Sequence, residues 1–515
     1  MMTTSVYDET LGCHMKYAMI LTGLVIGIGV ATTFGGVHPL VSQKTQNDTL
    51  RIRLQEAVLL ALERNPDMAI QRLDPNIAKS YADEERSVFD PILSASATRD
   101  ETKLQRFLGS RPDPFEMTTT RTQYNIGLSE SLPTGTSISA DVSLSGSISS
   151  IYTDQFSGNI GFTITQSLLQ GFGIGVNLAE LRKARLDMEI SQQELKAVAE
   201  ELVANVEKAY WDLYLKAEEI TIQKKSYELA NRQLQETLER VAVGKLPEIE
   251  LASVRAEVAN RQETLIDAES GYEQARLAFL FLLNPKGETI WSVLPIPTDM
   301  PFIPEDTLDA LSIHEQLGLK YRPDLRQARL ALQKGKLDIV RTKNGLLPRL
   351  DVFITLGKTS YAKTFREALP DIQSPFYNVN IGATFNFPVI NRQARAELAR
   401  ARHSKEQLEL SLTNMERLVQ WDIRTAYIEV LRVRQQIEAT RVTRELQEKN
   451  LDAELEKFRV GKSTNLQVLQ VQRDFTASQL DEIQAMVGYL NALVDLYLME
   501  GSLLERRGIH GQTVL

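Results

Sequence analysis

The stretch from Ala179 to Val243 contains neither glycine nor proline, and neither does the stretch from Ala396 to Val460. Nothing in either one breaks a helix. In the first, Val206, Leu213, Ile220, Tyr227, Leu234 and Val241 form one apolar row at seven-residue steps. Leu181, Met188, Leu195, Leu202 and Ala209 form another. Such stripes call for helical partners along the whole length. At roughly 1.5 Å per residue, each stretch is a rod on the order of 100 Å long. The two align without a gap at a shift of 217 (396 minus 179). Ala209-Tyr210 falls on Ala426-Tyr427, and Gly244-Lys245 on Gly461-Lys462. One supersecondary unit is used twice.

A second repeat precedes the rods. Leu62, Pro66, Asp67, Leu73 and Pro91 match Leu319, Pro323, Asp324, Leu330 and Pro348 at a shift of 257. Leu50 to Arg86 reads as helix, broken at Asn65-Pro66-Asp67. Between these helices and the rods the period changes to two. Tyr377, Val379, Ile381, Ala383, Phe385 and Phe387 alternate with Asn378, Asn380, Gly382, Thr384 and Asn386, and Leu350 to Leu356 alternates likewise. A half-buried soluble strand has this pattern too. Set between very long helices in an exported chain, an apolar face opposite a small polar one suits a lipid-facing barrel with a wet lumen.

The chain carries a net charge of -9, which argues against nucleic acid as the main partner. Its five histidines are scattered without an HExxH, and there is no phosphate-binding loop, so no metal or cofactor is expected. Cys13 is the only cysteine. The apolar run from Tyr17 to Phe34 reads as a secretory signal starting at Met15, with a membrane anchor as the alternative. Cys13 precedes that run, so no lipid anchor is expected.

The expected organisation is a signal-like extension over 1–36 and a first repeat over 50–284, with strands within 92–168, a rod over 179–243 and a helix over 248–283. A proline-rich linker over 285–305 follows. The second repeat, 306–500, has strands within 350–387, a rod over 396–460 and a helix over 465–499. Residues 501–515 form a polar tail with no readable structure from Arg506 onward. The fold class is mainly α with a membrane β-barrel part.

Taken together, these features resemble the TolC family of outer-membrane efflux ducts over essentially everything after residue 50. The likeness rests on Asn65-Pro66-Asp67 and Arg322-Pro323-Asp324, on Gln166-Ser167-Leu168-Leu169 and Phe385-Asn386-Phe387-Pro388, and on two hairpin tips. The tips are Val243-Gly244-Lys245-Leu246-Pro247 and Val460-Gly461-Lys462-Ser463-Thr464. The resemblance implies a homotrimer. Its strands would pool into one barrel in outer-membrane lipid, and its rods into a periplasmic α-barrel. The tips would dock a periplasmic adaptor (a membrane fusion protein) and an inner-membrane pump. In the family's best-known member acidic residues near the second tip narrow the pore entrance. The matching positions here are Gln467 and Gln470, with Glu250 equivalent to Gln467 in the first hairpin.

The function this implies is a passive export duct of a tripartite efflux or type I secretion system, and not an enzyme. A periplasmic coiled-coil adaptor is the alternative, although such a protein usually carries one hairpin and no twofold repeat. One departure stands out. The first half has room for four strands, Ile92 to Thr98, Gln123 to Ser131, Ser137 to Ile148 and Asn159 to Leu168. Arg99 to Thr122 would be an external loop and Leu132-Pro133-Thr134-Gly135 a periplasmic turn. With two strands from the second half, a trimer would close about eighteen strands where the family's usual plan has twelve.

Overall fold

A computed structural model describes residues 49–107, 113–285, 290–303, 308–368 and 375–509. The signal-like run and Cys13 lie outside the described residues. The chain begins with strand β1 (Thr49–Ile52) and helices α1 (Leu54–Arg64), α2 (Pro66–Gln71) and α3 (Asp74–Ser87). Strands β2 (Ile92–Arg106), β3 (Phe115–Ser131), β4 (Thr136–Ser149) and β5 (Gln155–Ser167) follow. A short turn of helix α4 (Ile174–Asn177) leads into the first rod, α5 (Ala179–Ala242), and its return helix α6 (Glu250–Leu283). The second half is β6 (Leu294–Pro297), α7 (Leu311–Tyr321), α8 (Pro323–Asn344), β7 (Arg349–Ala362) and β8 (Tyr377–Asn386). It ends with the second rod α9 (Arg392–Arg459), α10 (Asn465–Met499) and α11 (Leu503–Arg506).

Near the sheet α5 lies between α3 and α8, and α9 packs on α8. Toward the tips α5 lies between α6 and α10, and α9 packs on α10. Four helices therefore stand side by side at either level, with α9 at one edge and α3 or α6 at the other. The main core gathers Tyr210, Trp211, Leu213, Phe279 and the buried faces of α1 and α11 around the middle of α5. A second core joins Val419, Ile423 and Val430 of α9 to Leu493 and Leu496 of α10. Among the described residues no helix is long and apolar enough to cross a membrane.

Several expectations need correcting. The first helical region is three helices behind a strand. Asn65 interrupts it by accepting from the backbone N–H groups of Asp67 and Met68, and Pro75 starts a third helix. Within the proline-rich linker, β6 pairs in parallel with β1. Tyr210 locks that pair: its hydroxyl accepts from Thr298 N at 3.0 Å and Asp299 N at 2.9 Å, and donates to Ile52 O at 3.3 Å. Residues 501–509 are not a loose tail. Leu503, Leu504 and Ile509 are buried, and Arg507 forms a two-bond ion pair with buried Glu207 of α5. The loop expected over Arg99 to Thr122 is mostly strand. β2 and β3 pair as far as Arg106 and Phe115, helped by β-branched Thr118 to Thr120 and a Lys103–Glu116 ion pair at 2.7 Å.

One antiparallel sheet holds the other six strands in the order β2-β3-β4-β5-β7-β8. The Leu132 to Gly135 turn lies at its helical end, where Gly173 N donates to Thr134 O and Asn177 Nδ2 to Pro133 O.

Candidate functional site

Two regions present themselves: the ends of the rods and the faces of the sheet. At the first tip, Gly244 has φ +74°, its N–H bonds Val241 O, and Lys245 N bonds Arg240 O at 2.9 Å. At the second, Gly461 has φ +77°, its N–H bonds Phe458 O, and Lys462 N bonds Lys457 O at 2.8 Å. Both rods thus end in the same glycine-capped turn, a backbone conformation that other residues adopt only at a cost. The Arg240 guanidinium lies over the Phe458 ring, 4.6 Å from its centroid, so the two rod ends touch.

Beyond the glycines the tips differ. Lys245, Leu246 and Pro247 lead to a helix that starts at Glu250, whereas Lys462 and Ser463 lead to Thr464, whose hydroxyl caps α10 by accepting from Gln467 N. Ser463 also donates to Glu454. That bond and the Lys457 ammonium hold the Glu454 carboxyl below the usual carboxylate range. Val243, Ile249, Val460 and Leu466 are exposed, leaving an apolar rim on the tips.

Gln467 and Gln470 are both exposed on α10, opposite its buried Val468, Leu469 and Val471. Glu250 is half-buried, and its Oε2 accepts from Asn465 Nδ2, two residues before Gln467, at 3.2 Å. Asn465 Oδ1 in turn accepts from Gln233 Nε2 of α5 at 2.9 Å, and both side chains are buried. Two turns along, buried Glu257 of α6 accepts from Arg473 of α10 through Nε at 3.1 Å and from Arg261 at 2.8 Å. Burial alone would raise this carboxyl. The Arg473 hydrogen bond and the Arg261 charge outweigh it and hold it low. The second hairpin is thereby tied to the first at two levels. Sequence reasoning missed these ties. Their one signal was polar residues, Gln233 and Thr237, beside the apolar row of the first rod, where both are buried while Ile220, Tyr227 and Leu234 are only half-buried.

The sheet separates two chemistries. Registered pairing aligns Leu93, Leu128, Ala140, Phe162, Leu356 and Val379 in one row across all six strands. On the opposite face another full-width row is Ser94, Gly127, Asp141, Gly161, Gly357 and Asn378. A Cβ on Gly161 would sit 2.7 Å from the Asp141 carboxylate, and one on Gly357 would sit 2.0 Å from Asn378 Oδ1. The glycines leave room for these side chains to lie across the neighbouring strands. Most of the apolar row is exposed.

The sequence profile of the outer membrane efflux protein family matches residues 58–284 and 316–502. The pyoverdine export outer membrane protein OpmQ of Pseudomonas aeruginosa is 25% identical over 328 residues, 63% of this chain and 66% of that protein. The outer membrane efflux protein BepC of Brucella suis is 21% identical over 332 residues, 64% of this chain and 68% of its own length. Among solved structures, the Campylobacter jejuni CmeC outer membrane channel superposes with a TM-score of 0.65 at 16% identity, covering 87% of this chain and 86% of its own.

Proposed function

The chain belongs to the outer membrane efflux protein family, and we propose that it is an outer-membrane export duct, closed as a trimer and fed from the periplasm by an adaptor and an inner-membrane pump. The observation that carries this reading is that, among the described residues, both the sheet and the helical layer have open edges. The sheet ends in unpaired edges at β2 and β8. The helical layer ends in α9 on one side and in α3 and α6 on the other. A sheet whose apolar face is exposed cannot rest in lipid with free edges, and a ring of copies removes both the edges and the bare helix flanks.

In this reading the apolar rows face lipid and the Ser, Asn, Gly and Thr rows face water. The rods enclose a conduit across the periplasm. The exposed apolar rim of Val243, Ile249, Val460 and Leu466 offers adaptor helices a surface, and the duct opens when the α9–α10 hairpin swings away from α5 and α6. Gln467 and Gln470 line the entrance as an uncharged ring, while Glu250 acts as a bracket through Asn465. Nothing in this account draws on energy from the duct itself.

The tips are the part to test. Gly244→Val together with Gly461→Val forces a β-branched residue to positive φ at both turns, at about 1–2 kcal/mol per turn. Because the packing lies in the rods, the assembly should survive, while export through a cognate pump falls roughly tenfold or more as docking is lost. Unimpaired export by the double variant would remove the tips from the docking role.

A further inference from the structure

We infer that the β3–β4 hairpin is a pair of full membrane strands, so that three copies close an eighteen-stranded barrel as wide as the helical ring beneath it, and that the strand wall of this barrel therefore imposes no size or charge filter on the cargo. The inference rests on the reading that copies of this chain close a ring, and adds what the strand wall of that ring passes.

Sheet order is the first ground. Among the described residues β2 pairs only with β3, and β5 only with β4 and β7, so the hairpin stands between β2 and the rest of the sheet. Taking β3 and β4 out of the bilayer would leave β2 with no neighbour in its own chain. Register is the second. Leu128 and Ala140 stand in the same row as Phe162, Leu356 and Val379, and Ile126 and Val142 in the same row as Ile160. The apolar side chains of the hairpin thus lie on the same face and at the same height as those of the strands beside it. A hairpin folded into the lumen or standing outside the membrane would have no reason to match them.

The third ground is circumference. Strands about 4.8 Å apart and tilted about 40° each take up roughly 6 Å of perimeter, so eighteen need about 110 Å and twelve about 75 Å. Four helices per chain at each level give twelve in a trimer, and at 9–10 Å apart they also need about 110 Å. Eighteen strands continue the helical ring without a taper, leaving a clear bore of roughly 25 Å where twelve would leave roughly 15 Å. The polar face is nearly uncharged at mid-height. Its full-width row offers one carboxylate per chain, Asp141, among Ser, Asn and glycine, and in so wide a pore water screens it. The bore inside the strand wall then suits bulky or polymeric cargo as readily as small molecules.

The test is a cysteine scan of the hairpin in the trimer reconstituted into lipid vesicles, with Cys13 replaced by Ser. Asn125→Cys and Ser143→Cys should react with a membrane-impermeant thiol reagent. Ile126→Cys and Val142→Cys should react roughly tenfold more slowly or not at all, yet be quenched by a lipid-phase probe once labelled in detergent. All four are surface positions of a formed sheet, and trimer recovery reports folding independently. Fast aqueous reaction at all four positions in a conducting trimer would overturn the inference and leave the duct intact. Failure of the unsubstituted protein to form a conducting trimer would overturn the reading beneath it, and the inference with it.

Discussion

Ala204 and Trp421 occupy the same position in the two rods, one repeat apart, and so do Trp211 and Ile428. Ala204 is fully buried and Trp211 is 6% exposed, whereas Trp421 is 63% and Ile428 65% exposed. The sequence of one rod was copied into the other, but their surroundings were not. α5 has neighbours on both flanks, α3 or α6 on one and α8 or α10 on the other, so its flanks must be small or fully enclosed. Among the described helices α9 packs on α8, α10 and α7 with no rod on its other flank, and it carries Leu410, Leu418, Leu431 and Leu446 exposed with Trp421. The opposite edge of the chain is bare in the same way, with Ile77 and Tyr81 on α3 and Ile266 and Phe281 on α6. The first rod is the interior of an arc and the second its edge. An edge that apolar is the flank on which the proposed trimer would seat the next copy of the chain.

The sharpest way to break the comparison is to exchange the demands on the two rods. Trp421→Glu with Ile428→Glu removes two large apolar contacts at each junction, about 2–3 kcal/mol per side chain, and buries charge against the neighbour. The expected result in light-scattering chromatography is monomer with unchanged helical circular dichroism. Ala204→Trp should instead overpack the interior and destabilise the chain itself, by about 1–3 kcal/mol or more. Intact trimers from the first variant, or a fully stable second one, would show that the rods do not differ as described.

A smaller effect is expected where the second hairpin is tied to the first. Arg473 is half-exposed and Glu257 keeps Arg261, so Arg473→Ala costs only about 1 kcal/mol. That is enough to raise the open probability of the reconstituted channel several-fold at neutral pH. Because the Glu257 carboxyl is held low, its contribution is present above the ordinary carboxylate range and is lost as pH falls through its depressed value. The native channel should therefore loosen at this tie only in acid. Equal open probabilities for native and variant at neutral pH would exclude the tie as a restraint.

The smallest effect sharpens the contrast between equivalent positions Glu250 and Gln467. Lysines at Gln467 and Gln470 should lower cation conductance about two- to threefold through a like-charged ring. Unaltered conductance and selectivity would place the two glutamines away from the constriction.

Much of this was legible in the sequence because periodicity survives translation into structure. The rods begin and end within a few residues of where glycine and proline run out, and six strands follow the alternation. What escaped was set by partners distant in sequence. β6 becomes a strand because β1 is there to pair with it, and the segment around Leu503 folds because Glu207 and the core of α5 receive it. The polar ties at Asn465 and Arg473 were missed because burial of a glutamine or glutamate is decided by a neighbouring helix and leaves little more than a polar residue beside an apolar row, as at Gln233. Strand ends were misjudged beyond Thr98 because the charged run there hides strands that are held by pairing and by the Lys103–Glu116 bridge instead of by an apolar face.

Electron cryomicroscopy of the detergent-extracted particle tests the central claim most directly. The account predicts a threefold ring of twelve helices at each level, in which Trp421 and Ile428 of α9 are covered by the α3 and α6 edge of the next copy. A monomer, or a closed assembly that leaves that flank of α9 bare, would contradict it.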